Sequence, residues 1–405
     1  MTRPTDIAVV GVGSRYPDAA TPQDFWRNIE QGSVAMRELT EAQLADACVP
    51  QHVLNAPGFV RMGATLPGVT DWAADFFGYT PKEAETIDPQ QRIFLEAAWE
   101  ALEAAGHPPR DGCPRTGVFA ASYAGHYSAA VFTDKARRRG LRAAIDDLDL
   151  TVGGQPDFLT SRAAYRLGLR GPAVSIQTGC SASLYALHYA TLSLLSGEVD
   201  IAFAGGATVI EPFLGYLHAP GGVLSEDGYC RSYDASSTGT VYSSGIGVVA
   251  LRRVSDALAD GDPILAVVRG SAVGNDGGDR LGYVAPSPAG VAEVVGSALR
   301  VSDVPAESFP TRAMPLPDWQ KLVGDEAIKR GNQVMSTTAL WEQEDAFELD
   351  EDGVQARNWR TWLRRNKIDP AVTGEQLVAG MRYLTGRLPE VAELLPDLAG
   401  KTEER

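Results

Sequence analysis

Short apolar runs alternate with longer stretches of helical spacing from Ile7 to Arg300. Ile7–Val12, Gly117–Ala121, Ala173–Gln177, Ile201–Ala204, Gly247–Leu251 and Ile264–Val268 are β-rich, most of them apolar on both faces, and each predicts a strand. Between them, Pro89–Ala105, Pro156–Leu167, Ser181–Ser196 and Pro288–Arg300 predict helices. Strand and helix in turn point to a buried parallel-type sheet covered by helices. The helix over Ser181–Ser196 carries Leu184, Tyr185, Leu187, Tyr189, Leu192, Leu194 and Leu195 all the way round, which predicts burial on every side.

The pattern changes near residue 305. Pro305, Pro310, Pro315 and Pro317 mark residues 305–317 as a linker. Residues 318–405 hold Trp319, Trp341, Trp359 and Trp362, and Leu377, Met381, Leu384 and Leu388 recur at helical spacing. That tail predicts roughly three or four amphipathic helices and no strand. Its acidic stretch Asp350-Glu-Asp352-Gly353 lacks the ligand spacing of a calcium loop and reads as a turn.

Composition narrows the function. With 405 residues, 44% of them hydrophobic, the chain can bury a large core. Its 36 Lys and Arg stand against 52 Asp and Glu, a net charge of −16 that repels nucleic acid. Cys48, Cys113, Cys180 and Cys230 form no CxxC pair, so neither a zinc site nor a disulfide framework is indicated, and a reducing cytoplasm fits. No apolar stretch reaches about 18 residues and no signal segment opens the chain, so a soluble, unexported protein without membrane contact is expected. Gly11-Val-Gly13-Ser-Arg-Tyr16 has two glycines of a dinucleotide fingerprint without the third, and reads as a strand-ending turn. Glu96, Glu100 and Glu103 recur along one helix as a solvated or structural face.

The chemically informative string is Val174-Ser-Ile-Gln-Thr-Gly-Cys180-Ser-Ala-Ser-Leu. A strand runs into a tight turn at Gly179, and Cys180 opens the next helix. A thiol there meets the positive end of the helix dipole and unpaired backbone N–H groups, which favour a thiolate and hold a developing oxyanion. The same pattern also suits a small buried cysteine at a strand–helix junction.

Several strings resemble the β-ketoacyl synthase family of the polyketide synthase type. They are Asp6-Ile-Ala-Val-Val-Gly-Val-Gly-Ser-Arg-Tyr-Pro17, Asp24-Phe-Trp26, Phe76-Phe-Gly78, Ile87-Asp-Pro-Gln-Gln-Arg92, Trp99-Glu-Ala-Leu102, Arg231-Ser-Tyr-Asp234, Asp256-Ala-Leu-Ala-Asp-Gly261 and Gly282-Tyr-Val-Ala-Pro286. The resemblance runs from Asp6 to about Leu299. It implies an α/β thiolase-like αβαβα fold with Cys180 as the acyl-accepting nucleophile. Residues 1–252 would be the N-terminal half and 253–304 the start of a truncated second half. It implies no bound cofactor, an acyl substrate carried on the phosphopantetheine of an acyl carrier protein or peptidyl carrier domain, and a homodimer paired through the strand before the nucleophile.

The family's later His-Gly-Thr-Gly-Thr, Asn-Ile-Gly-His and Gly-Phe-Gly-Gly strings do not occur, and the last of the five histidines is His218. His188 lies eight residues beyond Cys180 on one helix, roughly 12 Å away at 1.5 Å per residue, too far for a direct hydrogen bond. His52, His107, His126 and His218 lie in separate segments. Gly179 replaces the family's usual Ala, which would loosen the turn, and Ser243-Ser244-Gly245 replaces a glycine-richer stretch. The expectation is acyl acceptance or transfer through Cys180 without decarboxylative condensation. The alternative is a non-catalytic dimeric scaffold recruiting assembly-line partners.

Overall fold

A computed structural model describes residues 3–109, 114–210, 212–232, 234, 236–278, 286–305, 349–350 and 353–354. The chain divides into two compact units. Met1–Ala219, Val223–Cys230 and Thr238–Arg312 make the first, and Pro220–Gly222, Arg231–Ser237 and Ala313–Arg405 the second.

The first unit is built on a sheet of six strands: β1 (Ile7–Arg15), β2 (Thr116–Ser122), β3 (Ala173–Ser175), β4 (Ile201–Thr208), β5 (Gly245–Arg253) and β6 (Ala266–Val268). Their order across the sheet is β6-β1-β5-β4-β2-β3. β3, β2 and β4 run parallel, whereas β4–β5, β5–β1 and β1–β6 are antiparallel, so the sheet is mixed and not of the parallel type. The reason is physical. Unbroken apolar runs report burial on both faces, and a central antiparallel strand between two helix layers is buried just as fully.

Helix α1 (Pro89–Ala104) covers one face. Pro89 stands in its first turn, and the Asp88 side chain accepts the Gln90 N–H at its start. The glycines of β1 let α1 approach. A Cβ on Gly11 would lie 2.1 Å from Ala101 O, and one on Gly13 would lie 2.0 Å from Ala97 O. Gly11-Val-Gly13 is therefore strand interior and not a strand-ending turn, since β1 continues to Arg15. Gly13→Ala should force the helix off the strand and cost about 1–3 kcal/mol, as core overpacking does. Urea unfolding would read it as a lower midpoint at constant slope, and an unchanged midpoint would mean that α1 yields freely.

Helix α2 (His126–Arg139) and helix α3 (Phe158–Leu167) lie between β2 and β3. Helix α4 (Ala182–Leu195) follows β3 and packs on β4, β2 and β5 from the face opposite α1. The core splits accordingly, with Phe203 and Ala207 of β4 in the α1 cluster and Ala202 and Ala204 in the α4 cluster. Helix α5 (Val254–Asp260) connects β5 to β6, and helix α6 (Pro288–Ser302) follows, its start capped by the Ser287 side chain.

Burial of α4 on every side is not found. Leu184 is 67%, Leu192 46% and Leu195 40% exposed, because the sheet covers one side and the segment with Ser271 and Gly274 reaches only Tyr185 and His188 among the rest. Among the described residues no helix is long and apolar enough to cross a membrane. The rest of the linker after Pro305, the expected tail helices and the family string at residues 282–285 lie outside the described residues, as does Cys113. In the tail, where helices alone are expected, Leu349–Asp350 and Gly353–Val354 pair as two short antiparallel strands.

Candidate active site

β3 is a short edge strand that ends by giving the Ile176 N–H to Ala120 O of β2 at 2.9 Å. Four residues later the chain turns through a single 3₁₀ turn, Gly179–Ser181, into α4. The Ser181 hydroxyl holds that turn by donating to Thr178 O at 3.0 Å. Gly179 sits at φ +64 with no atom near a would-be Cβ. A left-handed backbone costs an L-residue about 1–2 kcal/mol, so glycine suits this turn and does not loosen it.

Cys180 rides on the 3₁₀ turn, exposed and not buried at the junction. Its side chain makes no hydrogen bond to any described residue. The first N–H groups of a helix lack intrahelical acceptors, so α4 directs donors and partial positive charge at the space beside the thiol. Paired glycines on β4 lie where neighbouring elements come close. A Cβ on Gly205 would lie 2.3 Å from Gly247 O, and Gly206 faces Ser183 of α4 and Ala121 O of β2.

The departure at Ser243-Ser244-Gly245 also has a role. Ser244 is buried, and its Oγ accepts the Ile210 N–H at 3.0 Å, which fixes the chain leaving β4. Gly245 and Gly247 make room for the Tyr16 ring.

The histidines divide clearly. His52 is exposed on a short helix, Gln51–Leu54. His107 Nε2 lies 2.8 Å from Asp262 Oδ1 and 3.1 Å from Arg252 Nη1, within a buried charge cluster. His188 Nδ1 meets Ser271 Oγ at 2.9 Å, and burial pushes its pKa below the ordinary histidine value. His218 Nδ1 donates to Leu224 O at 3.0 Å. His126 opens α2 at the exit from β2, and its Nδ1 is buried without a hydrogen-bond partner among the described residues. On α1, Glu100 pairs with Arg15, while burial pushes Glu96 above the usual carboxylate range. No group of three or more potential metal ligands occurs among the described residues.

The clamp that holds the exit from β2 is not visible to sequence reasoning. Gln90, 2% exposed, accepts the Tyr123 N–H through Oε1 at 3.0 Å and donates to Tyr123 O through Nε2 at 2.9 Å. Asp88 Oδ2 accepts from the Ser128 hydroxyl at 2.7 Å. Tyr123 in turn faces His126 and Tyr242, with ring centroids 6.1 Å and 6.3 Å away. The available signal is the run of polar residues from Asp88 to Arg92 at the start of an otherwise apolar helix, all of them buried.

Comparison with known proteins agrees with this construction. The family model described as "Beta-ketoacyl synthase, N-terminal domain" matches residues 5–257. One phenolphthiocerol/phthiocerol polyketide synthase polypeptide of Mycobacterium tuberculosis is 40% identical over 302 residues, which are 74% of this chain and 20% of that protein. A second polypeptide of the same synthase is 40% identical over 308 residues, 75% of this chain and 19% of its own length. Among solved structures, ketosynthase twelve of the bacillaene polyketide synthase of Bacillus amyloliquefaciens superposes with a TM-score of 0.67 at 32% identity, covering 75% of this chain and 53% of that one. The oxazolomycin ketosynthase domain from Streptomyces albus gives 0.63 at 34% identity, covering 74% and 51%. The chain thus spans about a fifth of these synthase polypeptides and about half of the solved ketosynthase chains. With its mixed sheet, its helix layers and a cysteine on the turn after β3, the chain belongs to the β-ketoacyl synthase family, as a thiolase-like ketosynthase domain of the polyketide synthase type.

Proposed function

We propose that this chain accepts an acyl group onto Cys180 from the phosphopantetheine thioester of a carrier domain, and passes it on without decarboxylative condensation. The observation that carries this reading is an exposed thiol, free of hydrogen bonds to described residues, at the start of α4 in a ketosynthase domain. The cysteine sulfur adds to the thioester carbonyl and forms a tetrahedral adduct. The adduct's oxyanion draws on backbone N–H groups at Cys180 and the helix start. Collapse breaks the bond to the pantetheine sulfur, which leaves as the thiol, and an acyl-cysteine remains. The carrier would be an acyl carrier protein or a peptidyl carrier domain of a cytoplasmic polyketide or hybrid peptide–polyketide pathway. No bound cofactor enters this chemistry.

A second reading, a non-catalytic dimeric scaffold, draws on the exposed aliphatic face of α4, which offers a surface to a partner. Intact-protein mass spectrometry separates the two. Incubation with acyl-pantetheine and acyl-carrier thioesters should add one acyl group to the chain and none to Cys180→Ala. The absence of any such adduct across several acyl lengths would leave the scaffold reading.

A further inference from the structure

We propose that Leu184 selects the acyl chains that Cys180 accepts, by giving them an apolar ledge one turn along α4; the inference rests on the acyl-transfer reading and is tested apart from it. Leu184 follows Cys180 by four residues, and the 3₁₀ turn runs into α4 without a break. Four such residues advance about 6–7 Å along the axis, and positions i and i+4 are neighbours on one side of a helix. Long helical side chains lean back over the turn before their own Cα. Leu184 therefore leans toward the turn that carries the thiol, and both residues are exposed.

The residues around Leu184 give this ledge its shape. Of the three between it and Cys180, Ser181 is bonded back to Thr178 O, Ala182 is buried, and Ser183 stands beside Gly206 of β4. Leu184 alone brings a large apolar side chain to the exposed side of this turn. One turn further on the same side is His188, whose Nδ1 meets Ser271 Oγ at 2.9 Å. Beside it the Tyr185 hydroxyl donates to Gly274 O. A Cβ on Gly274 would lie 2.6 Å from Val294 Cγ2, so α6 packs on the segment at that point. Residues 271–274 thus cross α4 at Tyr185 and His188 and set a polar end to the apolar strip that starts at the thiol.

A chain bound as a thioester on Cys180 starts at the sulfur, so its occupant and its direction are both set by the covalent bond. An acetyl group stops short of Leu184. Each further methylene laid on the leucine leaves water, which at full burial would favour binding by up to about fourfold, and on an open ledge by about half that factor. The gain ends where the chain meets the His188 and Ser271 pair, because methylenes placed there would cover polar atoms. The selected substrate class is accordingly apolar acyl chains of intermediate length, in preference to acetyl and to chains that carry a carboxylate.

The test uses the full chain and N-alkylmaleimides, which add to a thiol without acyl chemistry. Exposed Cys48 in the same molecule corrects for the solubility and intrinsic rate of each reagent, read by peptide mass spectrometry. Relative to Cys48, labelling of Cys180 should rise on the order of tenfold from N-methylmaleimide to N-hexylmaleimide, and level off at N-decylmaleimide. Leu184→Ser should lose most of that rise and Leu184→Met should keep it. Leu195→Ser, at the far end of the same helix, should keep it too. A wild type without the rise, a Leu184→Ser variant that retains it, or a Leu195→Ser variant that loses it equally would overturn the proposal. A rise that continues as steeply to N-decylmaleimide would overturn the polar end at His188. If labelling depends on Leu184 yet no acyl thioester ever reacts, acyl transfer fails and the ledge stands. If Cys180 is acylated while neither reagent series responds to chain length, acyl transfer stands and the ledge falls.

Discussion

Malonyl thioesters offered to the purified chain are expected to keep their carboxylate, with carbon dioxide release no greater than in buffer. Taking an acyl group requires one thiolate and a place for one oxyanion, roles that the proposed function gives to Cys180 and the start of α4. Decarboxylation makes a larger demand. Loss of the carboxylate leaves an enolate at the thioester, and the family resemblance assigns its stabilisation to two histidines placed late in the sequence. None of the five histidines here lies beyond His218. Three of them are engaged elsewhere, with Asp262 and Arg252, with Ser271 and with Leu224 O. His52 is exposed on its own short helix. That leaves His126, and a single imidazole cannot supply a pair. Trapping of released carbon dioxide from malonyl-pantetheine, with acylation of Cys180 by a non-malonyl thioester as positive control, checks the point. Release well above the buffer rate and lost in Cys180→Ala would show that the chain stabilises the enolate by other groups.

The positions of strands and helices were legible because apolar periodicity records burial. All six strands of the sheet and helices α1, α3, α4 and α6 fall where the pattern sets them, with ends shifted by a few residues, whereas α2 and α5 were not expected. Strand direction was not legible. β5 is as apolar as its parallel neighbours would be, and only the connections after β4 and through α5 decide that it runs against β1 and β4. Gly11 and Gly13 misled for a related reason, since what they accommodate is the backbone of α1, more than eighty residues away in sequence. At the site, the turn at Gly179 and the helix start at Cys180 are local features and could be read directly. The hold of Gln90 on Tyr123 joins α1 to the exit of β2, and no spacing rule connects those segments. The all-round apolar pattern of α4 was also misleading. Apolar residues all round a helix state a demand for cover, and the described residues meet that demand on the sheet side and in part beside Tyr185 and His188, leaving Leu184, Leu192 and Leu195 exposed.

Val174→Lys is expected to convert a homodimer into a monomer. β3 is the edge strand of the sheet, hydrogen-bonded to β2 on one side only. Ala173 and Val174 are exposed, Val174 at 41%, so an apolar strand edge stands open, which soluble proteins seldom leave unpaired. The connection between β2 and β3 adds Leu141, Ile145 and Leu148, each more than half exposed. A second copy related by a two-fold axis would lay its own β3 antiparallel against this edge and extend the sheet without a break. Light scattering at micromolar concentration should then give twice the 43.2 kDa of one chain. Lysine at 174 places two like charges near the axis and removes apolar area, so the variant should elute at the single-chain mass, while Val174→Thr should remain paired. A wild type that scatters as one chain would remove the dimer from this account. A Val174→Lys variant that stays paired would move the contact to the exposed leucines of α4, where Leu192→Glu would be the substitution that separates the copies.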